Sequence, residues 1–460
     1  GGIVAVEVAK EKPVMLIESG PAGGVIGANF VAGKAGYKDI LALDIGGTTA
    51  KAAVVMDGKP TVSDQFEVGS QAVAAATAHR GQGYPVRTPV IPLVEIGTGG
   101  GSLAYIDKGG ALSVGPESAG ATPGPAAYGS GGTKPTLTDA NLVLGRINPT
   151  YFLGGEKLLR VDLAYEAIKK HVADPLHMDV EEAALAIVEL ANARMASALH
   201  FVSVEQGIDP RDFILVVSGG CGPMQAAAIA EQIGMRKVLI PPTPGLNSAI
   251  GMLATDLRHE VTGTSMLTEH EISSNDLREQ FELMILELRA MLSSEGVAQT
   301  EQSTECMLDM CYDGQSFGLE IGVDVGGVTS DILTSAVATF HKTHKAHYGY
   351  SSNLDTVRIL RVRVIGTGKI DRPKLRKIKK TDGKDPQPFA VRRVIFRGVA
   401  KNEQVPIYRR ERLCFGETLT GPAIIEQPDT TIVVPPDFSI AVDEIGNLVM
   451  TRHEPTMEGN

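Results

Sequence analysis

LALDIGGTTAKAAVV, Leu41–Val55, decides how this chain is read. The apolar residues from Ile40 to Leu43 make a buried strand, and Asp44 stands at its end. Gly46-Gly47 turn the chain, Thr48, Thr49 and Lys51 follow, and Ala52 to Met56 form a returning strand that Asp57-Gly58 turns again. Such a hairpin suits phosphate: glycines let backbone N–H groups approach phosphate oxygens, and threonine hydroxyls add donors. The Asp44 carboxylate can hold Mg²⁺ directly or through water. The stretch contains neither GxxxxGK[ST] nor GxGxxG. An ordinary hairpin with a Gly-Gly turn has the same pattern, so both readings stand at this point.

Other glycine loops lie on either side. In VIPLVEIGTGGGSLAYID, residues 90–107, a β-branched strand runs past Glu95 into Gly97–Ser102. Three consecutive glycines, Gly99, Gly100 and Gly101, imply that something approaches their backbone closely. Residues 214–234 take a strand into Ser218-Gly219-Gly220-Cys221-Gly222-Pro223, with a helix starting near Met224. Residues 13–30 read as a strand, Val14–Ile17, then a glycine-rich turn into a small-residue helix. That turn suits an anion or, equally, close helix packing. The long Gly/Pro-rich stretch 115–146 ends in Thr136–Asn141, where Thr138 or Asp139 can cap a short helix, Asn141–Arg146. Asp139 stands equally as a cap and as a site carboxylate. His79 and Arg80 fall in a loop, and Cys221 is either a reactive thiol or a packing residue.

Strands alternating with helices indicate an α/β sheet whose ligand sits beyond the strand ends. Three regions are expected: an α/β core over 1–260, a mixed connector over 261–355, and a β-rich domain over 356–460. The connector holds an amphipathic helix, Glu269–Ser294, capped near Ser273. It also holds His341, His344 and His347, whose helical spacing spreads them too widely for one metal. The run Arg358–Lys380 holds ten Lys or Arg. In a chain of net charge −11 this reads as a solvated or subunit-contact strand pair rather than a nucleic-acid surface.

At 460 residues the chain has room for two to four domains. Its four cysteines form no CxxC pair, which points to a reducing cytoplasm. No run has the ~18 apolar residues of a membrane span. The chain opens on Gly1-Gly2-Ile3, so it reads as processed, trimmed or cut from something longer.

The order of SGPAGGVIGA, DIGGTTAK, IGTGGGSLAYID, VGPESAGATPGPAAYG, GGTKPTLTDANLVLGR, SGGCGPMQAAAIAEQIG and PGLNSAIGMLATDLRHE resembles the hydantoinase A / 5-oxoprolinase family. That family also includes related subunits of acetone and acetophenone carboxylases. FHKTHKAHYGY (340–350) and GPAIIEQPDTTIVVPP (421–436) extend the resemblance. It implies a partial actin/hexokinase-like (ASKHA) nucleotide-binding core followed by a β-rich region, with ATP and Mg²⁺ (or Mn²⁺) as cofactors. On this resemblance Asp44, Gly46, Gly47, Thr48 and Thr49 form a phosphate loop. Gly219, Gly220 and Gly222 form the nucleoside-side loop, Gly99 and Gly100 add to the cofactor site, and Asp44 and Asp139 are catalytic candidates, Asp44 also for metal.

The implied reaction is ATP-dependent activation of an amide, lactam or hydantoin carbonyl for hydrolysis. Alternatives are a ketone-carboxylase subunit or a non-catalytic scaffold subunit. A hydantoinase B-like second subunit is implied, and no nucleic acid or membrane.

The chain departs from the family in three places. An earlier DxGGT loop and its lobe are expected in the family and do not precede this hairpin, so that lobe is expected to be missing or carried elsewhere, as on another chain. IGVDVGGVTSD, Ile321–Asp331, imitates that loop in the wrong place. Ala127 stands where relatives carry cysteine.

Overall fold

The computed structural model describes the chain apart from residues 1–2, 4–5, 64–65, 69–83, 87–89, 206, 316–317, 327–330, 384, 399–403 and 454–460. His79 and Arg80 lie outside the described residues, as does Gly327 of the imitation loop. Two compact units are present. The larger comprises Met15–Leu253 and Pro373–Asn460, the smaller Gly1–Val14 and Ala254–Arg372.

The larger unit is built on a nine-stranded mixed sheet. β1 (Ile40–Ile45) and β2 (Ala50–Met56) form the expected antiparallel hairpin, with Asp44 opposite Lys51 and Ile45 opposite Ala50. Strand Lys59–Pro60 continues this antiparallel set. On its other side β1 runs parallel to β3 (Ile214–Ser218), and β3 parallel to β4 (Lys237–Ile240). The alternation along β1 sorts its side chains between two cores. Leu41, Leu43 and Ile45 enter one apolar cluster, and Ile40 and Ala42 enter another with Val25, Ala28 and Val31 of helix α1 (Ser19–Lys34). Asp44 shares the parity of Ile40 and Ala42, so it faces the α1 side.

In the smaller unit, strands Leu257–Thr268, Val357–Gly368, Gln302–Tyr312 and Leu319–Val323 make a four-stranded antiparallel sheet. Helices Ser274–Ser294 and Ile332–Tyr348 pack Phe281, Leu288 and Phe340 against its Leu308, Val362 and Val364. Ser273 caps the first helix in a reciprocal box with Asp276, as its sequence indicates.

Two expectations change. The 261–355 connector and the separate 356–460 domain do not appear as such, because residues 357–368 form a central strand of the smaller unit. The strands Thr418–Thr420, Phe438–Val442 and Leu448–Arg452 instead extend the sheet of the larger unit beyond β4. Strand pairing joins residues far apart in sequence, so composition alone misplaced these boundaries.

The SGPAGG turn is the second. Pro13–Leu16 is a 3₁₀ turn rather than a strand, and the glycines lie inside α1. They serve helix packing. A Cβ at Gly23 would lie 2.8 Å from the Ser248 carbonyl oxygen, and one at Gly251 would collide with the Gly23 carbonyl. Gly23 and Gly27 thus lie directly against Asn247–Leu253. Helix Val180–Glu205 contains a stretch, Val180–Ser203, long and apolar enough to cross a membrane, but half of that stretch is buried inside the protein.

Candidate active site

The hairpin tip and both glycine loops meet at the C-terminal edge of β1 and β3. Gly47 and Thr48 are exposed at the tip. The Gly46 N–H donates to the Thr49 carbonyl at 3.0 Å, closing the turn. Among the described residues, nothing accepts from the N–H groups of Gly47, Thr48 or Gly220. These are obligatory donors, and at an exposed edge they are available to an anion.

The three consecutive glycines have a different task from the expected one. Gly100 N–H donates to Gly46 O at 3.0 Å, Gly101 N–H to Gly47 O at 2.5 Å, and Gly99 N–H to Ser102 Oγ at 2.8 Å. A Cβ at Gly99 would lie 2.8 Å from Gly46 O and 2.9 Å from Thr49 N. Gly99 and Gly100 are therefore a brace under the hairpin tip, and the donors expected of them as a cofactor site are consumed. What approaches them is the hairpin itself.

Gly219 and Gly222 are likewise structural. Gly219 has φ +82, donates to the Pro244 carbonyl at 2.9 Å and leaves no room for a Cβ beside Asp44 and Ile45. Gly222 opens helix α2 (Gly222–Gln232), and its Cβ would stand 2.7 Å from Val217 Cγ1.

Asp139 is the cap. It is fully buried and accepts from Thr136 N at 2.8 Å, Thr136 Oγ1 at 2.7 Å, Ala127 N at 2.7 Å and Ala126 N at 3.2 Å. Every interaction is internal, so Asp139 pins the Ala126–Tyr128 turn to the start of helix Leu137–Val143 and does not face a substrate. Burial made its two roles indistinguishable in the sequence.

A cavity of about 230 Å³ opens between these loops. Gly47 and Gly101 stand at one side, and Gly220 and Cys221 at another. Aromatic rings of Tyr128, Tyr151 and Phe152 form a wall, and Glu426 and Asp429 supply carboxylates. Glu426 is buried and paired with Arg392 at 2.7 Å and Arg409 at 3.3 Å. The Arg409 guanidinium stacks on the Tyr151 ring, 3.4 Å from its centre. Burial pushes the Tyr128 hydroxyl up to about 12 and the Cys221 thiol up to about 11, so both are neutral near pH 7. Cys221 is thus no activated nucleophile. Tyr128, Glu426 and Asp429 were not among the expected site residues. The signal for the carboxylates was the polar segment 426–431 between the apolar runs 423–425 and 432–434.

Asp44 lies outside the cavity, on the α1 face. A Cβ on Gly24 would stand 3.2 Å from its Oδ2. Burial raises its pKa, while the Ser218 hydroxyl, Lys51 and the Ser248 hydroxyl oppose that shift. Among the described residues no group of three His, Cys, Asp or Glu side chains is placed to hold a metal. His341 instead hydrogen-bonds to Tyr312 Oη, and buried His344 to the Tyr350 carbonyl.

The hydantoinase/oxoprolinase family profile matches residues 1–261, and the profile of that family's C-terminal domain matches 268–451. The chain belongs to the hydantoinase/oxoprolinase family. An uncharacterised protein of Methanocaldococcus jannaschii is 39% identical over 98% of this chain and 64% of its own length. Caprolactamase subunit alpha of Pseudomonas jessenii is 32% identical, again over 98% of this chain and 64% of its own length. A nucleotide-free structure of acetone carboxylase matches the fold with a TM-score of 0.78, at 26% identity, over 94% of this chain and 61% of that one. This hydantoinase/oxoprolinase chain therefore spans under two thirds of the length of the relatives it matches.

Proposed function

We propose that this chain carries a phosphate grip of an ATP-dependent enzyme that activates an amide or lactam carbonyl for hydrolysis. The observation that carries the reading is the set of N–H groups on Gly47, Thr48 and Gly220 that have no acceptor among the described residues, at the C-terminal ends of two adjacent parallel strands. An antiparallel set of three strands leading into the parallel pair β3 and β4 supports an actin/hexokinase-like core. On this reading phosphates rest on Gly47 and Thr48, braced from below by Gly99–Gly101. The nucleoside enters the cavity beside Gly220, between the Tyr128, Tyr151 and Phe152 rings, where Glu426 and Asp429 accept from an exocyclic amine. Asp44 offers one carboxylate, which suits a Mg²⁺ or Mn²⁺ whose remaining ligands are phosphate and water.

ATP held at Gly47, Thr48 and Gly220 would supply the phosphoryl group that activates the carbonyl oxygen. Water would then add to the activated carbon, the C–N bond would break as nitrogen takes a proton, and a second water would release phosphate from the resulting acyl phosphate. The chain's own contribution is positioning and preorganised donors. A second lobe, in cis or on another chain, supplies the rest of the grip, and a hydantoinase B-like subunit completes the enzyme. Such an enzyme works in the cytoplasm, where ATP is available.

Structural similarity to acetone carboxylase favours a second reading, ATP-dependent ketone carboxylation. Phosphate release by the native assembly separates the two. Release stimulated by a lactam without bicarbonate supports hydrolysis, release needing a ketone and bicarbonate supports carboxylation, and ATP-independent behaviour with both refutes the proposal.

A further inference from the structure

Of the ten Lys or Arg in Arg358–Lys380, four of the first five are paired with carboxylates. Arg358 meets Asp313 at 2.7 Å, Arg361 meets Asp309 at 2.5 Å, Arg363 meets Glu260 at 2.9 Å and Arg372 meets Asp256 at 2.8 Å. The second five are different. Residues 374–380, which belong to the larger unit, read KLRKIKK, five cations in seven residues with no carboxylate among them. All five are exposed. Lys377 lies 2.8 Å from Glu444, while Lys374, Arg376, Lys379 and Lys380 have no ion-pair partner among the described residues.

The segment is held by its backbone and its two apolar residues. Ile378 N–H donates to the Glu444 carbonyl at 2.9 Å, Phe415 N–H to the Lys379 carbonyl at 2.8 Å, and Thr381 N–H to the Phe415 carbonyl at 2.9 Å. Leu375 and Ile378 are partly buried, each against a hydrophobic core of the larger unit. The result is a strap that spans up to roughly 20 Å, at about 3.3 Å per residue, with its apolar side chains pinned and its cations exposed. Other exposed cations of this unit sit beside a carboxylate, as Arg160 does beside Asp162 and Arg211 beside Asp209, each at 2.5 Å. Like charges at this spacing repel one another, and four of the five have no carboxylate beside them among the described residues.

We propose that residues 374–380 are the docking strip for an acidic face of a second, different subunit of the enzyme. The inference rests on the second-subunit part of the reading above and gives that contact a place. Charge complementarity carries it. An unquenched cationic strip on a chain of net charge −11 attracts an anionic surface, while the acidic remainder of another copy of this chain repels its like. A strip already fixed in place loses little freedom when a partner covers it. The partner is a protein rather than a nucleic acid, because no aromatic residue stands among the cations to stack on bases and the chain as a whole repels polyanions. A matching surface presents Asp and Glu side chains along a similar length.

The test is zero-length carbodiimide cross-linking of the native assembly, purified through a tag on this chain and read by peptide mass spectrometry. The reagent joins a lysine amine only to a carboxylate in direct contact with it. Lys374, Lys379 and Lys380 become joined to Asp or Glu of a second subunit. Reversing the four unpaired cations together (Lys374→Glu, Arg376→Glu, Lys379→Glu and Lys380→Glu) weakens that subunit's binding about tenfold or more in sedimentation velocity at low salt, and about 1 M salt weakens the parent in the same direction. Reversing the exposed Lys108 and Lys134 of the same unit leaves binding unchanged. A second subunit that is present but never joined to the strap lysines overturns the inference, as does one whose binding survives the fourfold reversal. Cross-links to another copy of this chain, or an assembly that nuclease takes apart, overturn it too. Each of these outcomes leaves the nucleotide reading standing, since neither measurement uses ATP. An assembly with no second subunit refutes that part of the reading, and the inference with it. If the fourfold variant does not fold, the cross-links of the unmodified protein decide.

Discussion

Replacing Asp139 with Ala separates a structural carboxylate from a catalytic one. The substitution leaves three buried donor residues, Ala126, Ala127 and Thr136, without the acceptor that takes their four hydrogen bonds. Hydrogen bonds to a charged group contribute roughly 1.5–3 kcal/mol each, and a stranded buried donor costs about 1–3 kcal/mol. The four bonds share one carboxylate and one helix start, so they do not add. A loss of roughly 3–5 kcal/mol is expected, the range for removing one partner of a buried charged network. Asp139→Asn fares little better, because its amide nitrogen would confront N–H groups where an oxygen now accepts. Urea unfolding measures the loss, and ATP turnover per folded molecule in the native assembly measures function. Turnover within a few-fold of the unmodified protein, at a temperature where the variant is folded, fits the capping role. A variant as stable as the parent within about 1 kcal/mol, yet slowed about 10²–10⁴-fold, would refute it and restore Asp139 as an acid–base group.

Gly99→Ala forces a methyl against Gly46 O and Thr49 N. It should cost about 1–3 kcal/mol and reduce nucleotide affinity tenfold or more; unchanged calorimetric affinity would show the brace to be dispensable. Asp44→Asn should abolish the Mg²⁺-dependent part of nucleotide binding while leaving the thermal midpoint equal or higher, since burial opposes the charge it removes; an unchanged Mg²⁺ response counts against Asp44. The Cys221 thiol, pushed up from 9.0 to about 11 by burial, should be alkylated slowly at pH 8 and faster towards pH 11, as mass spectrometry would show. Its protonated form is favoured by folding, so its contribution to stability is complete below about pH 9 and is lost as pH rises through about 11. Labelling at pH 8 as fast as that of an unfolded cysteine would contradict the burial argument.

The local structure of the hairpin and of the capped helix was legible because it is encoded by neighbours in sequence. Ile40–Leu43, the Gly46-Gly47 turn and Ala52–Met56 fold as the hairpin their alternation and turn residues dictate, and Ser273 and Asp276 cap the helix their spacing announces. Motif order was enough to place the chain in its family. Glycines were ambiguous, because a missing Cβ serves a ligand and a neighbouring backbone alike. Only the position of the partner tells them apart, and for Gly99, Gly100 and Gly23 the partner is protein.

The sequence by itself determined the α/β class, the β1–β2 hairpin with its Gly46-Gly47 turn, and the family. Tertiary structure alone decided that the Asp139 carboxylate ties the Ala126–Tyr128 turn to the capping box of Thr136, that the aromatic wall and Glu426 converge on Gly47 and Gly220, and that residues 373–460 complete the larger unit. Each of those depends on contacts between segments far apart in the chain. Such contacts are fixed by which apolar faces bury together, and no local pattern of residues records that pairing.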